Sequence, residues 1–131
     1  MFTTNALEDK PLPLFKSSQN RRPWIHVDDH ARAIEAILLK GTVGEAYNVA
    51  TQVEKSVEDI ANAVLGTLGK PESLKTYVPD RLQHDTRYAL DPSKLKHETG
   101  WAPTIDFDAG IRETILWYRD HPDWWQRLKT L

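Results

Sequence analysis

A chain of 131 residues suffices for one domain with a modest core, and its 40% hydrophobic and 27% charged content is ordinary for a globular protein. Nineteen acidic against seventeen basic residues give a net charge of −2 with both signs interspersed, so no basic field is available for a nucleic-acid backbone. No apolar stretch has the length of a membrane span or signal peptide, and the absence of cysteine excludes disulfides, thiolate nucleophiles and cysteine-ligated metals; a cytoplasmic location is expected.

In chain order, Met1 to Glu8 reads as the end of a helix, and the proline-spaced KPLPLF, with Pro11 and Pro13, follows an extended, edge-like course. The polar turn KSSQN separates it from a short strand, Trp24 to Val27. Asp28 is placed to cap the helix that runs on to Lys40 and Gly41. Ile34, Ile37 and Leu38, with His30 and Ala31 behind them, form the face expected to pack on a sheet. A second strand, Glu45 to Val49, follows closely, and strand, helix and strand joined by short loops predict a βαβ unit with a parallel pair.

Ser56 and Asp59 form a capping-box pair that opens a second helix with Val57, Ile60, Ala61, Val64, Leu65 and Leu68 on its buried face, stopped by Gly69. Lys75 to Val78 and Thr86 to Leu90 read as strands flanking the polar loop from Pro79 to Asp85. Asp91-Pro92 begins a short helix closed by Gly100. The final helix starts near Asp108 and buries Phe107, Ile111, Ile115 and Tyr118 until Pro122 interrupts it, leaving a tail in which Trp124 and Trp125 serve hydrophobic packing. The fold class is therefore α/β.

A search for catalytic constellations returns little. No strand, glycine-rich turn and helix are arranged to receive a dinucleotide pyrophosphate, and the glycines at 41, 44, 66 and 69 suit loop and cap roles. A tyrosine with a lysine four residues on would present an acid/base hydroxyl beside an ammonium. Tyr47, Tyr77, Tyr88 and Tyr118 are followed at that distance by Thr51, Arg81, Pro92 and Pro122. His26 and His30 straddle the expected strand-to-helix break and do not share a face as zinc ligands would. Arg22, Arg81 and His84 stand in loops between elements. Two readings are open for the arginines: ordinary surface residues paired with Asp80 or Asp85, or forked donors clamping a diphosphate from two sides.

The segments NRRPWIHVDDHARAIEAILLKGTVGEAYNVA and VPDRLQHDTRYALDPSKLKHETGWAP, with GIRETILWY after them, resemble the carboxy-terminal part of the dTDP-glucose 4,6-dehydratase family, which are extended short-chain dehydrogenases/reductases. The resemblance covers nearly the whole chain. It implies a partial Rossmann-like βαβ unit plus the small mixed α/β substrate-binding domain of that family, with residues 1–131 forming the substrate-binding region and the cofactor-binding domain absent. It further implies that Pro13, Leu14 and Phe15 line the nucleotide pocket, Phe15 replacing the usual tyrosine against the deoxythymidine, and that Arg22, Asp80, Arg81 and His84 contact the dTDP-sugar. Family chemistry is that of a lyase using tightly held NAD: oxidation at C4 of the glucosyl group, loss of water across C5 and C6, and return of the hydride to C6.

Departures from the family pattern accompany the resemblance. Lys16-Ser17-Ser18 occupies a turn that usually carries glycines, Pro23 replaces an aspartate, Leu82-Gln83 replaces proline-glycine, and Val57 stands where a substrate-contacting asparagine is usual. The expectation is a substrate-binding piece that holds no NAD and turns over nothing alone, with a dTDP-sugar or another nucleotide sugar as ligand and no metal. Alternatives are a stand-alone nucleotide-sugar binding module, a structural remnant that self-associates, and a relative of UDP-sugar epimerases and dehydratases. An uncovered sheet face and edge predict a homo-oligomer, or pairing with a separate cofactor-binding half.

Overall fold

The computed structural model of the chain describes residues 1–80 and 87–129. Helix α1 (Phe2–Leu7) leads into strand β1 (Leu12–Phe15), and a tight turn connects this to β2 (Arg21–Pro23). Helix α2 (Val27–Lys40), strand β3 (Glu54–Ser56), helix α3 (Val57–Leu68) and strand β4 (Lys75–Val78) follow. Helices α4 (Ser93–Thr99), α5 (Phe107–Asp120) and α6 (Pro122–Lys129) complete the order.

The mixed α/β class expected from the sequence is found, but its parallel pair lies elsewhere. β1 pairs in parallel with β4, Leu12 opposite Lys75 and Phe15 opposite Val78, while β2 pairs antiparallel with β3, Arg21 opposite Ser56. The strand expected at Trp24–Val27 is not formed, because the helix starts early: His26, not Asp28, is its cap, Nδ1 accepting from the Asp28 amide at 3.3 Å. Residues 45–49 are not a strand either. Their apolar alternation serves packing, with Tyr47 and Val49 against a small core and the Tyr47 hydroxyl accepting from the Thr42 amide at 2.9 Å. Of the strand expected at Thr86–Leu90, Thr86 lies outside the described residues, Arg87 makes a single bridge to Arg21, and 88–90 carry no ladder.

Local signals in the second half hold. Ser56 Oγ accepts from the Asp59 amide at 3.0 Å and Asp59 Oδ2 accepts from the Ser56 amide at 2.8 Å, a complete capping box. Gly69 ends α3 at φ +63°, a conformation costly to any residue with a Cβ. Helix α5 begins one residue earlier than expected, with the Asp106 carboxylate accepting from the Ala109 amide at 3.1 Å. The tail after Pro122 is helical. Trp125 is buried with its indole N–H donating to Tyr118 O at 2.8 Å, while Trp124 stays half exposed, edge-on to Trp117.

Two cores result. The larger joins Leu12 and Leu14 of β1 to Ala61, Val64 and Leu65 of α3 and Ile115 of α5. The smaller joins Ala33 of α2 to Leu95 of α4 and Trp101, with Ile25, Ile37 and Tyr47 around it. The face expected to pack on α2 is corrected here: Ile34 and Leu38 are 47% and 80% exposed and His30 is exposed too, whereas Ala33 is buried. Asp29 is the cause. Its carboxylate, 1% exposed, accepts from the amides of Thr104 and Ile105 at 3.0 Å each and pairs with Arg32, while Trp101 Nε1 donates to its carbonyl at 3.2 Å. A buried carboxylate demands such partners, so the side of α2 that bears Asp29 turns inward whatever the apolar stripe opposite would prefer. Gly110 of α5 packs close to the entry to α2, for a Cβ there would meet Ile105 Cγ2 at 2.9 Å and His26 Cδ2 at 3.0 Å. Among the described residues no helix is long and apolar enough to cross a membrane.

Burial pushes the Asp29 carboxyl upward, but the two amides and the Arg32 guanidinium outweigh it and hold the group below the ordinary carboxylate range. Asp29→Ala leaves the amides of Thr104 and Ile105 without their carboxylate acceptor and is expected to lower stability by about 1–3 kcal/mol. Because the folded-state pKa is depressed, the stabilisation is complete above the ordinary aspartate range and is lost as pH falls through the folded value. Melting temperatures of the parent chain and Asp29→Asn, measured from neutral pH to acid, are therefore expected to converge as pH drops.

Candidate functional site

The ends of β1, β2 and β4 meet around the turn formed by residues 16–20. Parallel pairing puts the exits of β1 and β4 side by side: the Lys16 amide donates to Val78 O at 3.2 Å and the Ser17 amide donates to Asp80 Oδ1 at 2.8 Å. The turn closes through the Asn20 amide on Ser17 O at 2.9 Å and delivers the chain to Arg21 and Arg22. Among the described non-glycine residues only Asp9 has positive φ, so Lys16, Ser17 and Ser18 fit this turn without the left-handed backbone that glycines would allow.

Five of the seven residues singled out from the sequence can be located. Phe15, half-buried, ends β1 beside Val78; Pro13 lies opposite Thr76; and the Leu14 side chain is wholly buried in the larger core, so any ligand contact there falls to its main chain. Asp80 is tied to the turn as described. Arg22 donates from Nη1 to Arg21 O at 2.8 Å, and its guanidinium carbon sits 4.3 Å from the centroid of the Tyr88 ring. Arg81 and His84 lie outside the described residues.

The structure adds partners that sequence spacing did not reveal. Arg87 forms a fork on Glu54, Nε and Nη2 each 2.8 Å from a carboxylate oxygen, and Arg21 Nη2 donates to the Glu54 carbonyl at 2.8 Å. The Arg87 hydrogen bond holds the Glu54 carboxyl below its ordinary range. Glu58, the second residue of α3, accepts from Tyr77 Oη, Ser18 Oγ and Gln19 Nε2 at 2.8–2.9 Å. Those hydrogen bonds, that from Tyr77 foremost, depress the Glu58 carboxyl and raise the Tyr77 hydroxyl. These pairs join residues 19 to 40 positions apart, beyond any local pattern.

Arg21 and Arg87 thus gather on Glu54, and Arg22 lies against the Tyr88 ring, a group of guanidinium donors of the kind that suits an anion. A separate groove of about 690 Å³ runs between residues 24–28 and helices α5 and α6, lined by Trp24, Val53, Phe107, Ile111 and Trp117 among others. None of Pro13, Leu14, Phe15, Arg22 and Asp80 lines it. Among the described residues no group of three or more histidine, aspartate or glutamate side chains could hold a metal ion.

The family model described as GDP-mannose 4,6 dehydratase matches residues 1–114. A dTDP-glucose 4,6-dehydratase from Streptomyces niveus is 40% identical over 130 residues, covering 99% of this chain and 39% of that protein. The solved structure of DesIV, a dTDP-glucose 4,6-dehydratase from Streptomyces venezuelae with NAD bound, superposes with a TM-score of 0.92 at 38% identity, over 97% of this chain and 39% of that one. A UDP-glucose 4-epimerase from Thermotoga maritima, solved with UDP-glucose, matches with a TM-score of 0.83 at 25% identity, over 91% of this chain and 38% of its own. The chain thus spans about two fifths of the length of the relatives it matches.

Proposed function

The chain belongs to the family described as GDP-mannose 4,6 dehydratase, and on that premise we propose that it is the substrate-binding portion of a dTDP-glucose 4,6-dehydratase-like protein. The observation that carries the proposal is the convergence of Phe15, Arg22 and Asp80 on one turn, with Asp80 hydrogen-bonded into it. Phe15 offers a ring face to a base, and Arg22 offers forked donors to a diphosphate. Pro13 and the Leu14 main chain border the same edge, and Arg81 and His84 join the set on family resemblance alone. Relatives of this chain are named for dTDP-glucose, and several solved relatives hold NAD. Here the sequence has neither the glycine-rich cofactor turn nor a tyrosine with lysine four residues on. On this reading the described segment contributes the substrate side of the site, and NAD binding and dehydration rest on parts that these residues do not supply. Pyrimidine diphosphates of the UDP type are the competing ligands.

A second reading concerns the apolar face that Asp29 turns outward. Val27, Ile34 and Leu38 lie along one side of α2, with Leu39 and Val43 nearby, and all are 47–100% exposed. Such a face needs a cover, either a second copy of this chain or a separate cofactor-binding half.

Calorimetry with dTDP, UDP and GDP tests the first reading: selective binding of dTDP is expected, with Arg22→Ala weakening it by about tenfold through loss of a charge-assisted contact. Absence of binding at millimolar dTDP would sink it. For the second, sedimentation is expected to show concentration-dependent association that Leu38→Lys reduces. A well-folded monomer at high concentration removes self-association and leaves the separate half.

A further inference from the structure

We infer that Glu58 is a positioning residue for the nucleotide-contacting turn, and that it does in this chain what glycines in a tight turn do through their backbone. The inference rests on the proposed nucleotide-sugar reading of that site. Glu58 stands at the start of α3, where the first backbone amides lack partners within the helix. Its own amide donates to Ser18 O at 3.2 Å, and its carboxylate receives Ser18 Oγ at 2.9 Å, so Ser18 is clasped from both its carbonyl and its hydroxyl. Gln19 Nε2 donates to the same carboxylate oxygen, Oε2, at 2.9 Å. The other oxygen, Oε1, accepts from Tyr77 Oη of β4 at 2.8 Å, with Lys75 Nζ 3.9 Å away.

One carboxylate thus joins the turn to β4, and through the turn it sets the departure of β1 at Phe15 and the entry of β2 at Arg22. Ser18 and Asn20 are 3% and 7% exposed, so these two residues anchor the turn while Lys16 and Gln19 stay exposed. A flexible Lys-Ser-Ser segment would otherwise have to be ordered when a ligand binds, at a cost in backbone entropy. Glu58 removes that cost in advance, which is preorganisation of the binding edge.

The test uses the chain with Glu58→Ala, Glu58→Gln and Ser18→Ala, reading amide hydrogen exchange at residues 16–20 and dTDP affinity by calorimetry. Glu58→Ala is expected to speed exchange in the turn by about tenfold or more while amides of Ile60 to Leu68 stay protected, and to weaken dTDP by about tenfold. Glu58→Gln, which keeps an acceptor oxygen, is expected to recover most of both losses, a rescue that mere damage to α3 would not give. Ser18→Ala, which leaves α3 intact, is expected to show the same trend and carries the test if Glu58→Ala does not fold. Unchanged exchange in the turn, or unchanged affinity where the parent chain binds dTDP, overturns the role of Glu58 alone. A parent chain that binds no dTDP overturns the parent reading and this inference with it.

Discussion

The burial of the Asp29 carboxylate is the constraint on which the arrangement of this chain turns. An ion withdrawn from water at 1% exposure must find donors, and the two amides at Thr104 and Ile105 together with Arg32 supply them. These bonds reach 75 and 76 positions along the chain, so they dock the start of α2 against the segment that leads into α5. The orientation of α2 is consistent with them. Ala33 enters the small core beside Leu95 and Trp101, His26 is brought against Gly110, and the stripe of Val27, Ile34 and Leu38 is left on the outside.

Local signals and long-range demands therefore shape different parts of the chain. Helix ends are decided by atoms within four residues of one another, and so the Ser56–Asp59 box and the αL glycines at 69 and 100 follow from the letters themselves. The buried face of α3 was also legible, since Ile60, Ala61, Val64 and Leu65 carry no competing polar demand. On α2 the apolar periodicity is equally clear, but of Ile34, Ile37 and Leu38 only Ile37 packs within this chain. A hydrophobic stripe states that a helix wants cover, whereas a buried carboxylate dictates which side receives it within this chain. Periodicity says nothing of the second. The strands at 24–27 and 45–49 failed for a related reason: alternation marks residues that pack, and a ladder additionally requires a neighbour, which Tyr47 and Val49 replace with contacts to the small core.

The candidate site divides along the same line. Phe15, Arg22 and Asp80 could be named from resemblance because each sits in a short recognisable stretch, and the parallel pairing of β1 with β4 brings the first and last of them to one edge. Glu58, Tyr77 and the fork of Arg87 on Glu54 could not, because their partners are distant in sequence and their residue types are ordinary on a solvated surface. What organises the site is thus mostly what the sequence hides: carboxylates at the start of α3 and in β3 that hold the cationic loops from behind.

The Lys-Ser-Ser turn shows how such hidden support changes the meaning of a substitution. Replacing glycine by a residue with a side chain is costly where the backbone requires positive φ, and it then predicts a distorted pocket. Here the described turn has no residue in that region, and two serine side chains help to attach it: the Ser18 hydroxyl donates to Glu58 and Ser17 Oγ accepts from Asn20 Nδ2 at 3.3 Å, beside the Ser17 backbone amide that donates to Asp80. The Ser18 hydroxyl and the Glu58 carboxylate are therefore two ends of one attachment between the turn and α3. Val57 is different, since the helix that begins there is capped by its neighbours Ser56 and Asp59 and nothing in that cap restores a polar group at position 57. On the proposed reading, an edge held firmly but short of one polar contact would discriminate by shape and charge at the base and diphosphate more than by hydrogen bonds to the sugar, because Phe15 and Arg22 flank the turn that Glu58 holds.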